Sequence, residues 1–216
     1  MLFLKIKIFN FIQEVINIYR YYKNLQFAFL DSVLKIIYLF QNPFRISKKF
    51  LLKKKEENIH QYGETPLFTF EKMIRISEVS SQDIFYELGA GRGRLCFWMH
   101  AFKRCKTVGV EQIPFFCVIA DFLTKIFRLK NLRFVKGNMM HIDVSDATFI
   151  YLCGTCLSDD EVYNILKNFK KVAPKTKVLS VSYPLTEYDA ASYRILKEIP
   201  VQFAWGSTVA YLQEKV

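Results

Sequence analysis

The sequence predicts an α/β fold: a doubly wound, mostly parallel sheet of seven strands ending in an antiparallel hairpin, with a helical extension at the N-terminus. Three observations predict it. From residue 65 onward, short apolar runs alternate with longer segments of helical period, which is the pattern of a parallel sheet covered on both faces. The last two runs, "PVQFAW" and "STVAYLQE", are separated by little more than Gly206, so they close as an antiparallel pair. Residues 1–55 carry two stripes of helical period and most of the charge, which sets them apart as an extension over 1–60 ahead of a main domain over 61–216.

The totals bound the answer. The 216 residues are 51% hydrophobic, with only 8 Gly and 6 Pro, enough to bury one sizeable core. The formal charge is +11, but residues 1–55 hold eleven Lys/Arg against two acids, and the remainder holds twenty against eighteen. The basicity therefore belongs to the extension. Five cysteines, an odd number set inside predicted core elements, argue against a disulfide framework and for a reducing, cytoplasmic setting. The start "MLFLKIKIFNF" lacks a small-residue cleavage site, so a cleaved secretory signal is not expected. The run "IIYLFQNPF" at 36–44 is half the length of a membrane span and ends near Pro43.

In the extension, Phe11, Ile12, Val15, Ile16, Tyr19 and Tyr22 share one helical face, with Gln13, Asn17 and Arg20 opposite. A second stripe runs Phe27, Leu30, Leu34, Ile37, Tyr38, with an Asp31–Lys35 pair on its wet face. Both stripes are expected to pack on the main domain and to help wall the acceptor site. The run "RISKKFLLKKK" at 45–55 reads as a solvated basic edge. The rival reading is a peripheral membrane contact, or a nucleic-acid contact, through residues 1–55.

The main domain then reads in order. Strands are expected at 83–88, 106–111, 132–137, 147–153 and 177–184, and helices at 94–104, 115–128 and 160–172. Ser158, Asp159 and Asp160 supply the cap and the dipole complement of the last helix.

The first strand runs into "ELGAGRGRL", with Glu87, Gly89, Gly91 and Gly93. Glycines there let the backbone turn and approach a ligand at a helix N-terminus. The spacing is G-x-G-x-G, one residue short of the dinucleotide fingerprint. An acid two residues before the first glycine suits a cationic ligand such as S-adenosylmethionine. Strand two ends at Glu111, a carboxylate placed to accept ribose hydroxyls. Strand three ends "KGNMM", where Asn138 meets an adenine amino group and Met139 its ring face.

These stations, with "YGET" at 62–65, "VGVEQIP" and "FIYLCGTC" in the same order, resemble the non-SET histone lysine methyltransferases of the disruptor-of-telomeric-silencing type, among the class I methyltransferases. The resemblance covers residues 62–185. It implies S-adenosylmethionine as cofactor, a class I fold whose sheet ends in the hairpin, and Tyr62, Glu64 and Thr65 as cofactor contacts in a loop over the methionine end. After strand four that family carries an Asn pair followed by aromatics. Here the positions read Cys153, Gly154, Thr155, Cys156, so the cofactor half carries over better than the target half.

Cys153-x-x-Cys156 follows a fourth strand, where a thioredoxin-type dithiol does not sit, and His60, His100 and His141 show no metal spacing. The pair therefore reads as small residues lining a pocket, with Thr155 and Tyr183 as further pocket residues, no metal and no identified base. The expected function is S-adenosylmethionine-dependent methyl transfer, to protein lysine ahead of RNA. The alternative is a non-catalytic module of the same fold that holds a membrane or an acidic partner.

Overall fold

The computed structural model describes residues 2–216. Three helices form the extension: α1 (Leu2–Tyr21), α2 (Leu25–Phe40) and α3 (Pro43–Lys54). The main domain follows as α4 (Leu67–Ile76), β1 (Ile84–Leu88), α5 (Arg94–Phe102), β2 (Lys106–Glu111), α6 (Pro114–Ile126), β3 (Leu132–Lys136), β4 (Phe149–Leu152), α7 (Asp159–Phe169), β5 (Lys177–Val181), β6 (Tyr193–Phe203) and β7 (Gly206–Lys215).

The strands form one sheet in the order β3-β2-β1-β4-β5-β7-β6. β1 to β5 run parallel, and β7 inserts antiparallel between β5 and β6. The crossovers reverse at β1 and β4, so the carboxyl ends of those strands open the crevice where ligands bind in such sheets. One face of the sheet carries α4, α5 and α6. The other carries α7 and the chain at 139–144, where Met139, Met140, Ile142 and Val144 replace a helix. α7 begins with a capping box: the Ser158 hydroxyl accepts from the Glu161 amide, and the Glu161 carboxylate accepts from that of Ser158.

The extension departs from expectation in three ways. The basic run at 45–55 is largely a helix. Asn42 caps α3 by accepting from the Arg45 amide at 3.1 Å, Pro43 takes its first turn, and Lys55 ends it in the left-handed conformation. Asp31 lies buried at 1% exposure instead of on the wet face. The stripe of α1 is turned outward: Phe11 is 70% exposed, Tyr19 76%, with Ile12 and Val15 also exposed, while Asn17 is 1% exposed. The inward side of α1 meets arginines and a polar cavity, so its polar residues turn in.

The stripe of α2 does pack. Phe27, Leu30, Leu34 and Tyr38 are buried, and with Tyr21 they join one core with Phe70, Trp98 and Phe116. Tyr21 and Phe27 both make edge contacts with Phe102 of α5.

Candidate active site

The glycine loop after β1 is held from below by strand two. Gly89, Gly91 and Gly93 all have positive φ, and Gly93 (φ +78°) caps α5 directly. A Cβ on Gly93 would sit 2.5 Å from the Phe134 ring. The third glycine therefore comes early because α5 starts at once and packs hard on β3. Glu111 Oε2 accepts from the Gly91 amide at 2.8 Å, and Oε1 from the Ile113 amide at 2.7 Å. Those bonds leave each oxygen a further lone pair. Burial pushes the Glu111 carboxyl above its ordinary range, against the pull of the two amides.

Glu87 is buried at the end of β1, and its Oε2 accepts from the Cys96 thiol at 3.0 Å. Burial raises its pKa to about 8, so the free carboxyl is mostly neutral at pH 7. Such a group is poised to ionise against an incoming cation.

The crevice runs along this loop in two stretches that share Gly89. One is bounded by Glu87, Gly91, Tyr62, Glu64 and Thr65, the other by Glu111, Asn138 and Met139. Nine of the ten predicted cofactor residues thus line the crevice, and the tenth, Gly93, lines neither stretch and caps α5. Met139 Cε lies 3.4 Å from where a Cβ on Gly89 would stand, so the missing side chain keeps the floor open. Asn138 Oδ1 accepts from the Met140 amide at 3.0 Å and closes a turn. Tyr62 stands over Gly91, its ring packed against Phe44 and Phe116, and its hydroxyl donates to Glu64 at 2.5 Å. The Thr65 hydroxyl pairs with that of Tyr151 at 2.7 Å.

Two arginines interleave with the glycines, and sequence reasoning passed over both. Arg92 forks onto Glu64, with Nε at 2.7 Å from Oε1, and lies 5.1 Å over the Tyr38 ring of α2. Arg94 forks onto Asp31 at 2.7 and 3.0 Å and reaches Glu14 at 3.0 Å. Burial would raise the Glu64 and Asp31 carboxyls, but the guanidinium beside each outweighs it. Glu64 is held below its ordinary range and Asp31 at about 2. Glu14 and Asp31 are the two acids of residues 1–55. That scarcity, on helices otherwise basic and apolar, was the available signal.

Beyond Tyr62, Glu64, Thr65 and Cys153 a cavity of about 560 Å³ opens. Its walls come from the polar side of α1, from the chain at 60–66, from Thr155 and Cys156, and from Trp205 at the β6–β7 turn. Gln13 Oε1 and Asn17 Oδ1 are buried there without a hydrogen-bond partner. Cys153 is exposed and lines this cavity, and desolvation holds its thiol pKa above the ordinary value. That opposes a reactive thiolate. Both cysteines are free thiols, and the described residues hold no group of three or more His, Cys, Asp or Glu placed for a metal. Tyr183 is misplaced by the sequence reading. It packs on Tyr188, and its hydroxyl lies 2.2 Å from where a Cβ on Gly154 would stand, so it supports the 153–156 loop from beneath and does not line the cavity.

The donor set fits a cofactor with an ammonium at one end and a vicinal diol at the other: Glu87 and Glu111 stand at the two stretches, and the cations that line them, Arg92, Arg94 and Lys54, are each paired with a carboxylate. With the 3-2-1-4-5-7-6 sheet and its terminal hairpin, this defines a class I S-adenosylmethionine-dependent methyltransferase fold. The family described as "Histone methylation protein DOT1" matches residues 47–172, more than half of the chain, and the chain belongs to that family. The cofactor of the family is S-adenosylmethionine.

Among relatives, the histone-lysine N-methyltransferase, H3 lysine-79 specific, of Dictyostelium discoideum is 24% identical over 157 residues, 65% of this chain and 8% of its own length. A protein-lysine N-methyltransferase of Saccharolobus islandicus is 32% identical over 130 residues, 57% of this chain and 77% of its own. The chain thus spans under a tenth of the first relative and about three quarters of the second. Among solved structures, an RNA methyltransferase from Salinibacter ruber in complex with S-adenosyl-L-homocysteine superposes with a TM-score of 0.58 at 22% identity, covering 71% of this chain and 94% of that one. TrmN from Thermus thermophilus gives 0.61 at 12%, covering 71% and 49%. At these identities the structural likenesses speak for the fold.

Proposed function

We propose that this chain transfers a methyl group from S-adenosylmethionine to a lysine side chain of a protein. The observation that carries the reading is the 560 Å³ cavity that meets the crevice at Tyr62, Glu64, Thr65 and Cys153. When bound, the cofactor supplies an electrophilic methyl on a sulfonium that leaves as a neutral thioether. Glu87 would pair with its amino group, Glu111 with its ribose hydroxyls, and Asn138 and Met139 with its adenine. Tyr62 and Thr65 would close over the methionine end.

The chemistry of the cavity suits a neutral amine. An ammonium has no lone pair to attack with, so a lysine must arrive or become deprotonated. Glu14 and Glu64 are each spent on an arginine and held ionised below the usual carboxylate range. Neither leaves a free negative charge to trap an ammonium. The unpartnered amide oxygens of Gln13 and Asn17 accept N–H donors without favouring the charged form. Exclusion of water and alignment would supply most of the rate.

Protein is favoured over RNA by the same walls. The arginines there, Arg92 and Arg94, are both paired with carboxylates, so neither offers a phosphate contact. The name of the Saccharolobus relative points the same way. The test is incubation of the full chain with methyl-labelled S-adenosylmethionine and a nuclease-treated cell extract. Protein-bound label that disappears with Glu87→Ala supports the reading, and label confined to untreated RNA sinks it.

A further inference from the structure

Among the described residues no apolar side chain covers the outward stripe of α1. Leu4, Ile8, Phe11, Val15 and Ile18 recur at alternating spacings of four and three, with Ile12 and Tyr19 beside them, and all are exposed. The same helix sends Gln13, Glu14 and Asn17 the opposite way into the cavity. α1 is thus amphipathic with its apolar side to solvent. Next to it, at the start of α2, Leu25 and Phe29 are exposed as well, and Phe29 meets Phe127 at the end of α6. A contiguous apolar face of this size is more than soluble monomers usually leave uncovered.

The charge around the face says what covers it. Residues 1–55 carry eleven Lys/Arg and two acids. Both acids are used inward on Arg94: Asp31 is buried, and Glu14 sits on the cavity side between Arg94 and Lys35. The outward surface is therefore apolar and cationic. Lys23 lies 5.6 Å over the ring of exposed Tyr19, and Lys5 stands exposed on α1 itself. No helix among the described residues is long and apolar enough to cross a membrane. Nucleic acid would use the charge and leave the seven apolar side chains wet, whereas an anionic lipid surface takes both.

We propose that α1 lies in the interface of an anionic membrane, with its Leu4–Tyr19 stripe in the acyl boundary and the neighbouring lysines on the headgroups. The cavity, on the other side of the same helix, is thereby held beside the membrane surface. This proposal does not rest on the methyl acceptor and stands or falls separately from it.

The experiment is co-sedimentation of the full chain with vesicles of phosphatidylglycerol and phosphatidylcholine, and with phosphatidylcholine alone. The expected result is pelleting with the anionic vesicles only, weakened as salt rises from about 0.1 to 0.5 M because screening shortens from about 10 Å. Phe11→Asp with Tyr19→Asp changes exposed side chains, so the variant should keep its melting temperature and its binding of S-adenosylmethionine while losing the pelleting. Lys5→Gln with Lys23→Gln should weaken pelleting about fivefold per charge removed. A wild-type chain that stays in the supernatant with anionic vesicles overturns the proposal. So does a Phe11→Asp, Tyr19→Asp variant that pellets as well as wild type. A lipid-free dimer dissolved by those same substitutions also overturns it, by making the stripe a face between two copies of the chain.

Discussion

Asp31, in the second helix of the extension, and Arg94, the first residue of the helix behind the glycine loop, form a forked ion pair at 2.7 and 3.0 Å with the carboxylate 1% exposed. The pair ties the extension to the backbone that shapes the cofactor crevice. Removing Asp31 would leave the buried guanidinium with Glu14 as its one remaining carboxylate, so the cost should approach, without reaching, the ~3–5 kcal/mol of a fully broken buried pair. Asp31→Ala should therefore unfold at markedly lower urea than wild type. The acid dependence has a definite sign. The folded carboxyl is held at about 2 against 3.8 ordinarily, so its contribution is present above pH 4 and lost as pH falls toward 2. A variant whose stability loss does not shrink across that range would show that the ionised Asp31 carboxylate is not what stabilises the fold.

Glu87 predicts how cofactor binding responds to pH. Its carboxyl is neutral below about 8 in the free protein, and an ammonium partner requires it ionised. Binding should therefore release a proton, and affinity should rise about tenfold per pH unit from 6 to 7, levelling near 8, where an α-amino group itself starts to lose its charge. Titration calorimetry at pH 7 in two buffers of different ionisation heat reads the proton directly. Glu87→Gln should bind more weakly and with a flat pH profile. A pH-independent wild type would remove Glu87 from the site.

Gly93 predicts a steric effect. Its φ of +78° disfavours any side chain, and a Cβ would meet the Phe134 ring at 2.5 Å. Gly93→Ala should lose about 2–4 kcal/mol, from left-handed strain and overpacking together. Urea denaturation with and without S-adenosylmethionine measures it. Full wild-type stability would mean that Phe134 gives way freely.

The unpartnered oxygens of Gln13 and Asn17 predict a split between donor and acceptor. Gln13→Leu with Asn17→Leu should leave the affinity for S-adenosylmethionine within about twofold and lower kcat/KM for the methyl acceptor about tenfold or more, since each lost bond to a buried donor is worth about a kcal/mol. An equal loss in cofactor binding would place these residues in the cofactor site instead.

How much of this was legible follows from which signals are local. The strand ends at Glu87, Glu111 and Asn138 were readable because a parallel sheet delivers successive strand ends to one edge, whatever the side chains pack against. The inversion of α1 was not. Its periodicity gives an apolar face and a polar face, but which one turns inward depends on Arg94 and on a cavity built from residues 60–66, 153–156 and 203–205. The same distance in sequence hid Arg92 and Arg94, whose partners lie 28 and 63 residues away. Tyr183 was misjudged because a strand end marks only the edge of the sheet, while the contact with Gly154 decides on which side of the loop the ring lies.

The central claim, methyl transfer to protein lysine, is tested most directly by the chemical identity of the product. The full chain, methyl-labelled S-adenosylmethionine and an intact cell extract are incubated together, and the protein fraction is then hydrolysed and its amino acids separated. The account predicts label in methylated lysine, absent with Glu87→Ala. Label recovered in nucleotides or in another amino acid, from a chain that calorimetry shows to bind the cofactor, would contradict it.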